Sequence, residues 1–136
     1  MKEVAVGIIV NDEKVLLCQR KRTARYPLKW EFPGGKVEDG ESPEECLRRE
    51  LNEELGIHAE HGDLYHRQHY TYADSGAFDV LYYKVTRHRG EIVNHVFESY
   101  EWVPVLELRT YDILEGNRDV VDRLIVEYDS VGSREG

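Results

Sequence analysis

The order of patterns along the chain predicts a single α/β domain. Three observations carry that expectation: two apolar runs separated by a polar turn near the N-terminus, a central helix with complete start and stop signals, and a second helical periodicity near the C-terminus that follows further strand-like runs. At 136 residues the chain suits one domain, able to bury roughly two thirds of its unfolded surface without staples. We expect that domain over residues 1–129 and a short, polar, frayed tail over 130–136.

The elements follow in order. Residues 4–10 (VAVGIIV) and 14–20 (KVLLCQR) read as two strands joined by the polar turn Asn11–Asp12–Glu13, a hairpin. The first run is far too short to span a bilayer. Residues 21–30 are basic and irregular and lead into EFPGG. Ser42, Pro43 and Glu45 supply a hydroxyl N-cap, a proline at the first helical position and a glutamate three residues after the cap, and Gly56 supplies the stop. A helix is therefore expected over 43–55. Strands are expected at 64–72, 77–86 and 100–105, where aromatic and β-branched residues concentrate. A last helix should begin near Asn117, because Val120, Val121, Leu124, Ile125 and Tyr128 recur at helical spacing.

Composition narrows the function. With 27 acidic and 18 basic residues the formal charge is −9, which argues against a nucleic-acid polymer or an anionic membrane as partner. An anionic small substrate would need a cation between itself and such a protein. Cys18 and Cys46 form no C-x-x-C pair, so they are read as reduced thiols of a cytoplasmic protein. Histidines at 58, 61, 66, 69, 88 and 95 show no shared ligand spacing and are read as surface residues.

The acids of the central helix are badly placed for a purely structural helix. Glu50, Glu53 and Glu54 gather near its C-terminus, where the backbone dipole is already negative. Glu50 and Glu54 are also an i,i+4 like-charge pair, which costs roughly 0.2–0.5 kcal/mol. At about 100° per residue the three lie on one arc beside an apolar stripe of Leu47, Leu51 and Leu55. Clustered carboxylates on a rigid element suit Mg²⁺ or Mn²⁺, hard cations that complete their shells with water and phosphate oxygens. A solvated face with Arg48 and Arg49 as partners explains Glu44, Glu45 and Glu53, but leaves Glu50 and Glu54 uncompensated.

From Gly35 to Ile57 the chain reads GKVEDGESPEECLRRELNEELGI. That stretch carries every fixed position of the Nudix box, and the sequence resembles the Nudix hydrolases, more narrowly the MutT-like nucleoside triphosphate pyrophosphohydrolases. AVGII (5–9), Arg20, WEFPGG (30–35), YEWVP and EGNRDVVDRL extend the resemblance. It implies a Nudix fold, an α/β/α sandwich around a mixed β-sheet, acting as a monomer or homodimer. It also implies Glu50, Glu53, Glu54 and the Gly35 carbonyl as metal ligands, Arg49 as the residue that orients the glutamates, and Glu41 as a loop support. A cluster carboxylate, Glu53 or Glu50, would accept the proton of the attacking water. Glu98, four residues before Trp102, is the candidate for a further acidic ligand from a later loop.

For substrate binding the resemblance implies Arg20, Phe32, Phe78, Tyr82 and Asn117. Core packing is the commoner fate of the three aromatics. Asn117 falls where MutT-like relatives carry an asparagine that hydrogen-bonds oxidised guanine, and an amide offers both donor and acceptor to a purine edge. Asparagine is also a favoured N-cap, and a helix is expected to start there. The expected function is removal of a modified nucleotide such as 8-oxo-dGTP, yielding a monophosphate and pyrophosphate; the alternative substrate is a pyrimidine triphosphate or another nucleoside-diphosphate-linked compound, with Tyr70 and Tyr72 keeping a dinucleoside polyphosphate open. A nucleotide-sensing module is the alternative of another class. Such modules lose box glutamates, and this chain keeps them all.

Overall fold

The computed structural model describes the backbone of residues 1–135 and the side chains of residues 1–130. Strands β1 (Lys2–Asn11) and β2 (Lys14–Gln19) form the expected hairpin, antiparallel with Val10 opposite Val15 and Asn11 opposite Lys14. Asp12 takes a left-handed φ of 57° at its tip, the conformation that aspartate and asparagine tolerate best after glycine. The EFPGG region contributes two short strands that the sequence pattern missed, β3 (Trp30–Glu31) and β4 (Gly34–Lys36).

Helix α1 (Pro43–Leu55) has the limits its capping signals dictate. The Ser42 hydroxyl accepts from the Glu45 amide at 3.1 Å, and the Glu45 carboxylate accepts from the Ser42 amide at 3.0 Å. Gly56, at φ 68°, ends the helix by donating its N–H to the Asn52 carbonyl. Beyond it come β5 (His58–Glu60), β6 (Leu64–Tyr72), β7 (Gly76–Val85), β8 (Arg87–Arg89) and β9 (Ser99–Pro104). Two 3₁₀ turns, Val105–Thr110 and Glu115–Asn117, precede helix α2 (Arg118–Glu135). The tail expected at 130–136 sits at the limit of description: its backbone is helical to Glu135, and its side chains from residue 131 on lie outside the described residues.

The main sheet has seven strands in the path β3–β2–β1–β7–β6, with β4 added to β1 and β9 to β2. β1 pairs parallel with β7 and every other pairing is antiparallel, so the sheet is mixed. Its centre is β1, and the unbroken VAVGIIV run follows from burial on both faces. Ala5 and Ile9 pack with Leu47, Leu51 and Leu55 of α1. Val6 and Ile8 point the other way, toward Val120, Val121 and Leu124 of α2. Each fully buried leucine of α1 contributes on the order of 2 kcal/mol. Gly7 lets α1 close on the sheet, since a Cβ there would sit 3.2 Å from the Leu47 and Leu51 methyls. Outside this sheet β5 and β8 form a separate two-stranded ribbon. Among the described residues no helix is long and apolar enough to cross a membrane.

Candidate active site

The apolar stripe of α1 faces the sheet, which leaves the flank carrying Glu50, Glu53 and Glu54 beside the β3–β4 turn. Arg49 organises that flank. It donates to both Glu41 oxygens at 2.8 and 3.0 Å, to Glu50 at 2.9 Å, to Glu53 at 3.3 Å and to the Lys36 carbonyl at 3.3 Å. The hydrogen bonds from Arg49, aided by the Glu38 amide, hold the Glu41 carboxyl down to about 2. In turn Glu41 and Glu50 raise the guanidinium further above its ordinary value. Glu41 thus ties the loop before α1 to the helix, as the sequence reading expected.

Among the described residues Glu54 has no cationic partner. One of its oxygens accepts from the Gly34 amide at 3.1 Å, yet burial, with Glu50 and then Glu31 nearby, pushes its carboxyl up to about 9. Burial also raises Glu50 despite its bond to Arg49. Gly35 lies directly against Glu50, and a Cβ there would come within 2.7 Å of Glu50 Oε2. Only a glycine admits a carboxylate this close to the strand.

These residues match a hard divalent cation in kind: all offer oxygen, they carry excess negative charge, and the backbone approach is open at Gly35. They do not form a finished coordination shell. Among the described residues no three histidine, cysteine, aspartate or glutamate side chains are close enough to hold a metal ion as they stand. The reason is visible in the hydrogen bonds: Arg49 engages Glu50 and Glu53, and the Gly34 amide engages Glu54. Glu53 is also the outermost of the three, with its side chain 58% exposed. Glu98 is ion-paired with Arg22 at 3.0 Å.

Beside β4 lies a cleft of about 650 Å³. Arg20, Phe32, Phe78, Tyr82 and Asn117, the five expected substrate-binding residues, all line it, together with Gly35 and Glu54. The acidic flank and the cleft therefore meet at the β3–β4 turn. Phe32 and Tyr82 are also buried in the α2-side core, so they serve packing and wall at once. Arg20 donates to Glu31 at 2.8 Å and to the Arg25 carbonyl at 2.6 Å, which holds it on the cleft wall.

Asn117 lines the cleft but does not take the helix-capping role, one of the two weighed for it. Helix α2 begins one residue later, and the Asn117 side chain caps nothing. Its Oδ1 accepts from the Phe32 amide at 3.1 Å and its Nδ2 donates to the Tyr82 hydroxyl at 2.9 Å. That hydroxyl donates to the Gly116 carbonyl at 3.1 Å, which also accepts from Gln68 Nε2 at 3.1 Å. The amide is thus locked in one orientation, joining β3 to β7, while it still lines the cleft.

Several residues escaped the sequence reading. Glu31 is half-buried beside Arg20 and raises Glu54; its only sequence signal was a charge inside an otherwise apolar WEFPGG run. Tyr72, weighed from the sequence only as a mark of a dinucleoside polyphosphate substrate, accepts from the Gly116 amide at 3.0 Å and stacks near Tyr26 with ring centroids 5.0 Å apart. The Tyr26 hydroxyl reaches Asp74 and Ser75 across the cleft mouth. Among the histidines, His66 and His88 correct the surface reading, since both are half-buried, His66 with its ring 5.8 Å from that of Tyr82.

An α/β/α domain with glutamates of one helix flanking a strand-built cleft is the frame, and the NUDIX domain model matches residues 1–124. The chain belongs to the Nudix family. It is 34% identical over 123 residues to the 8-oxo-dGTP diphosphatase of Escherichia coli K12, covering 90% of this chain and 95% of that one. It is 35% identical over 113 residues to the CTP pyrophosphohydrolase of the same organism, covering 83% of each. Among solved structures, a MutT from work on Aliivibrio salmonicida and Vibrio cholerae superposes with a TM-score of 0.79 at 30% identity, over 93% of this chain and 98% of that chain. Nudix enzymes generally use divalent metal ions.

Proposed function

We propose that this chain is a pyrophosphohydrolase that cleaves a nucleoside triphosphate to the monophosphate and pyrophosphate, with an oxidised purine such as 8-oxo-dGTP as substrate. The observation that carries the reading is the meeting of two features: the glutamate flank of α1 and the cleft lined by Arg20, Phe32, Phe78, Tyr82 and Asn117 share the β3–β4 turn. Relatives named 8-oxo-dGTP diphosphatase support it.

Glu50, Glu53, Glu54 and the Gly35 carbonyl would hold Mg²⁺ or Mn²⁺, with Glu98 as a further oxygen donor. Bound there, the cations supply charge neutralisation on the bridging phosphates and activation of water. The chain's own residues do the rest. Arg49 fixes the direction of Glu50 and Glu53. One of these carboxylates takes the proton of the attacking water as its oxygen bonds to phosphorus, and the bridging P–O bond breaks to release pyrophosphate. Phe32 and Phe78 flank the base, and Asn117 presents the remaining hydrogen-bonding capacity of its locked amide to the base edge. Two buried free cysteines suit a reducing, cytoplasmic setting.

A pyrimidine triphosphate is the second reading, favoured by the relative named CTP pyrophosphohydrolase. Pyrophosphate release from 8-oxo-dGTP, dGTP, dCTP and CTP, measured with Mg²⁺, with Mn²⁺ and with excess EDTA, separates the two. The proposal expects metal-dependent turnover with the highest kcat/KM for 8-oxo-dGTP. Undiminished turnover in EDTA, or a pyrimidine in first place, would overturn it.

A further inference from the structure

A larger cavity than the cleft lies elsewhere. A groove of about 1110 Å³ lies between the β5–β8 ribbon, the end of β1 and the flank of α1 opposite the glutamates. Its chemistry runs against that of the chain as a whole. In a protein of net charge −9, its walls carry Arg48, Arg87 and Arg89, three histidines and one carboxylate, Glu60.

Ribbon geometry explains how these side chains come together. His58 stands opposite Arg89, Ala59 opposite His88 and Glu60 opposite Arg87, and directly opposed residues of an antiparallel pair share a face. Ala59 is buried against the α1-side core, so His58, Glu60, Arg87 and Arg89 share the outward face. Arg87 and Arg89 are about 7 Å apart along one strand, a span suited to linked phosphates more than to a lone one. Arg48 enters from a separate element, α1, and Val10 and Trp102 add apolar wall.

The guanidiniums are also uncommitted. Among the described residues Arg48, Arg87 and Arg89 form no ion pair, a state they share with Arg25, Arg118 and Arg123 outside the groove. Glu45 lies near Arg48 and Glu44 near His61, but as first-turn residues of α1 they are occupied with the Ser42 cap and with Tyr83 respectively. Guanidiniums recognise phosphate oxygens in a fixed fork.

The geometry points to a second anion site in this groove, remote from the catalytic cleft, that binds a small ligand carrying two or more linked phosphates. A free polyphosphate and the diphosphate of a nucleotide share that chemistry. The net charge disfavours a nucleic-acid polymer.

Isothermal titration in EDTA, with inorganic tripolyphosphate in one arm and ADP in the other, tests the site on the intact chain. The expected result is saturable binding of tripolyphosphate that weakens with added salt and is reduced roughly tenfold or more by Arg87→Ala/Arg89→Ala. Arg48→Ala, on a different element, should weaken it independently, while Glu54→Gln should leave it intact. Binding of ADP to the same residues, with its affinity rising through contact with Trp102, would identify a nucleotide, and binding of tripolyphosphate alone a free polyphosphate. Melting curves check that each variant folds, and the two arginine variants should retain triphosphate hydrolysis. Absence of binding in both arms, binding unchanged by both arginine variants, or tighter salt-sensitive binding of a single-stranded oligonucleotide would overturn the inference.

Discussion

Glu54→Gln should make the metal-free protein more stable while abolishing its chemistry. The wild-type carboxyl is pushed from 4.5 up to about 9 by burial and by Glu50 and Glu31. A carboxyl raised in the folded state has the following linkage: the fold is unpenalised below the unfolded value near 4.5, loses stability as pH rises above it, and stops losing beyond about 9. At pH 7 the interval travelled is about 2.5 pH units, and at about 1.36 kcal/mol each that is on the order of 3 kcal/mol, an upper figure for a group with some solvent access. Glutamine keeps the oxygen that accepts from Gly34 and carries no charge, so it recovers roughly 1–3 kcal/mol at pH 7 and almost nothing at pH 4. For a domain of this size that is a Tm gain of roughly 3–10 °C. Thermal melts in EDTA across pH 4–9 measure it, and repeating them with Mg²⁺ should stabilise the wild type alone. A variant whose advantage does not grow with pH would refute the assignment of Glu54 as a buried, uncompensated acid.

Four other outcomes follow from the same geometry. Gly35→Ala should sharply reduce turnover with a small effect on Tm, because its Cβ displaces the movable Glu50 carboxylate. Gly34→Ala should instead destabilise by roughly 1–3 kcal/mol, since its Cβ meets the Ala5 carbonyl and lies 2.7 Å from the Val6 Cα in the neighbouring strand. Asp79 is held low by the hydrogen bonds from Arg67, so it contributes stability above about pH 4 that is lost as pH falls through its folded-state value; acid melts of Asp79→Asn should therefore be flatter below pH 5. Asn117→Asp should lower Tm as well as activity, by roughly 1–3 kcal/mol of lost hydrogen bonding, and an unchanged Tm would contradict the strut role found for this side chain.

What the sequence made legible was whatever is written in local chemistry. The α1 limits came from Ser42, Pro43, Glu45 and Gly56, four residues whose backbone preferences act within one turn of themselves. The long strands were legible because β1 is apolar throughout and β7 is aromatic and β-branched. Short strands left no such trace. β3 and β4 owe their existence to partners on β2 and β1, far away in sequence, and β5 to β8, whose RHR carries no apolar alternation at all. A two- or three-residue strand is specified by its neighbour more than by its own composition.

The site divides along the same line. The acidic arc was readable because a helix repeats, so spacing alone places Glu50, Glu53 and Glu54 on one side. What each acid experiences there was not readable. Glu50 and Glu53 share one guanidinium and Glu54 has none, a distinction made by Glu31, Gly34 and the depth of burial. Asn117 shows the limit most clearly. Its type and position admitted a helix cap or a base contact, yet the fold spends both ends of the amide on Phe32 and Tyr82. Tyr82 has a single hydroxyl proton and gives it to Gly116, so only a donor can stand where Nδ2 stands. An aspartate there would set oxygen against oxygen unless Tyr82 abandons Gly116, whose carbonyl would then rely on Gln68 alone. Discrimination by this residue and stability of the cleft are therefore coupled through one proton, and substitutions at Asn117 change the two together.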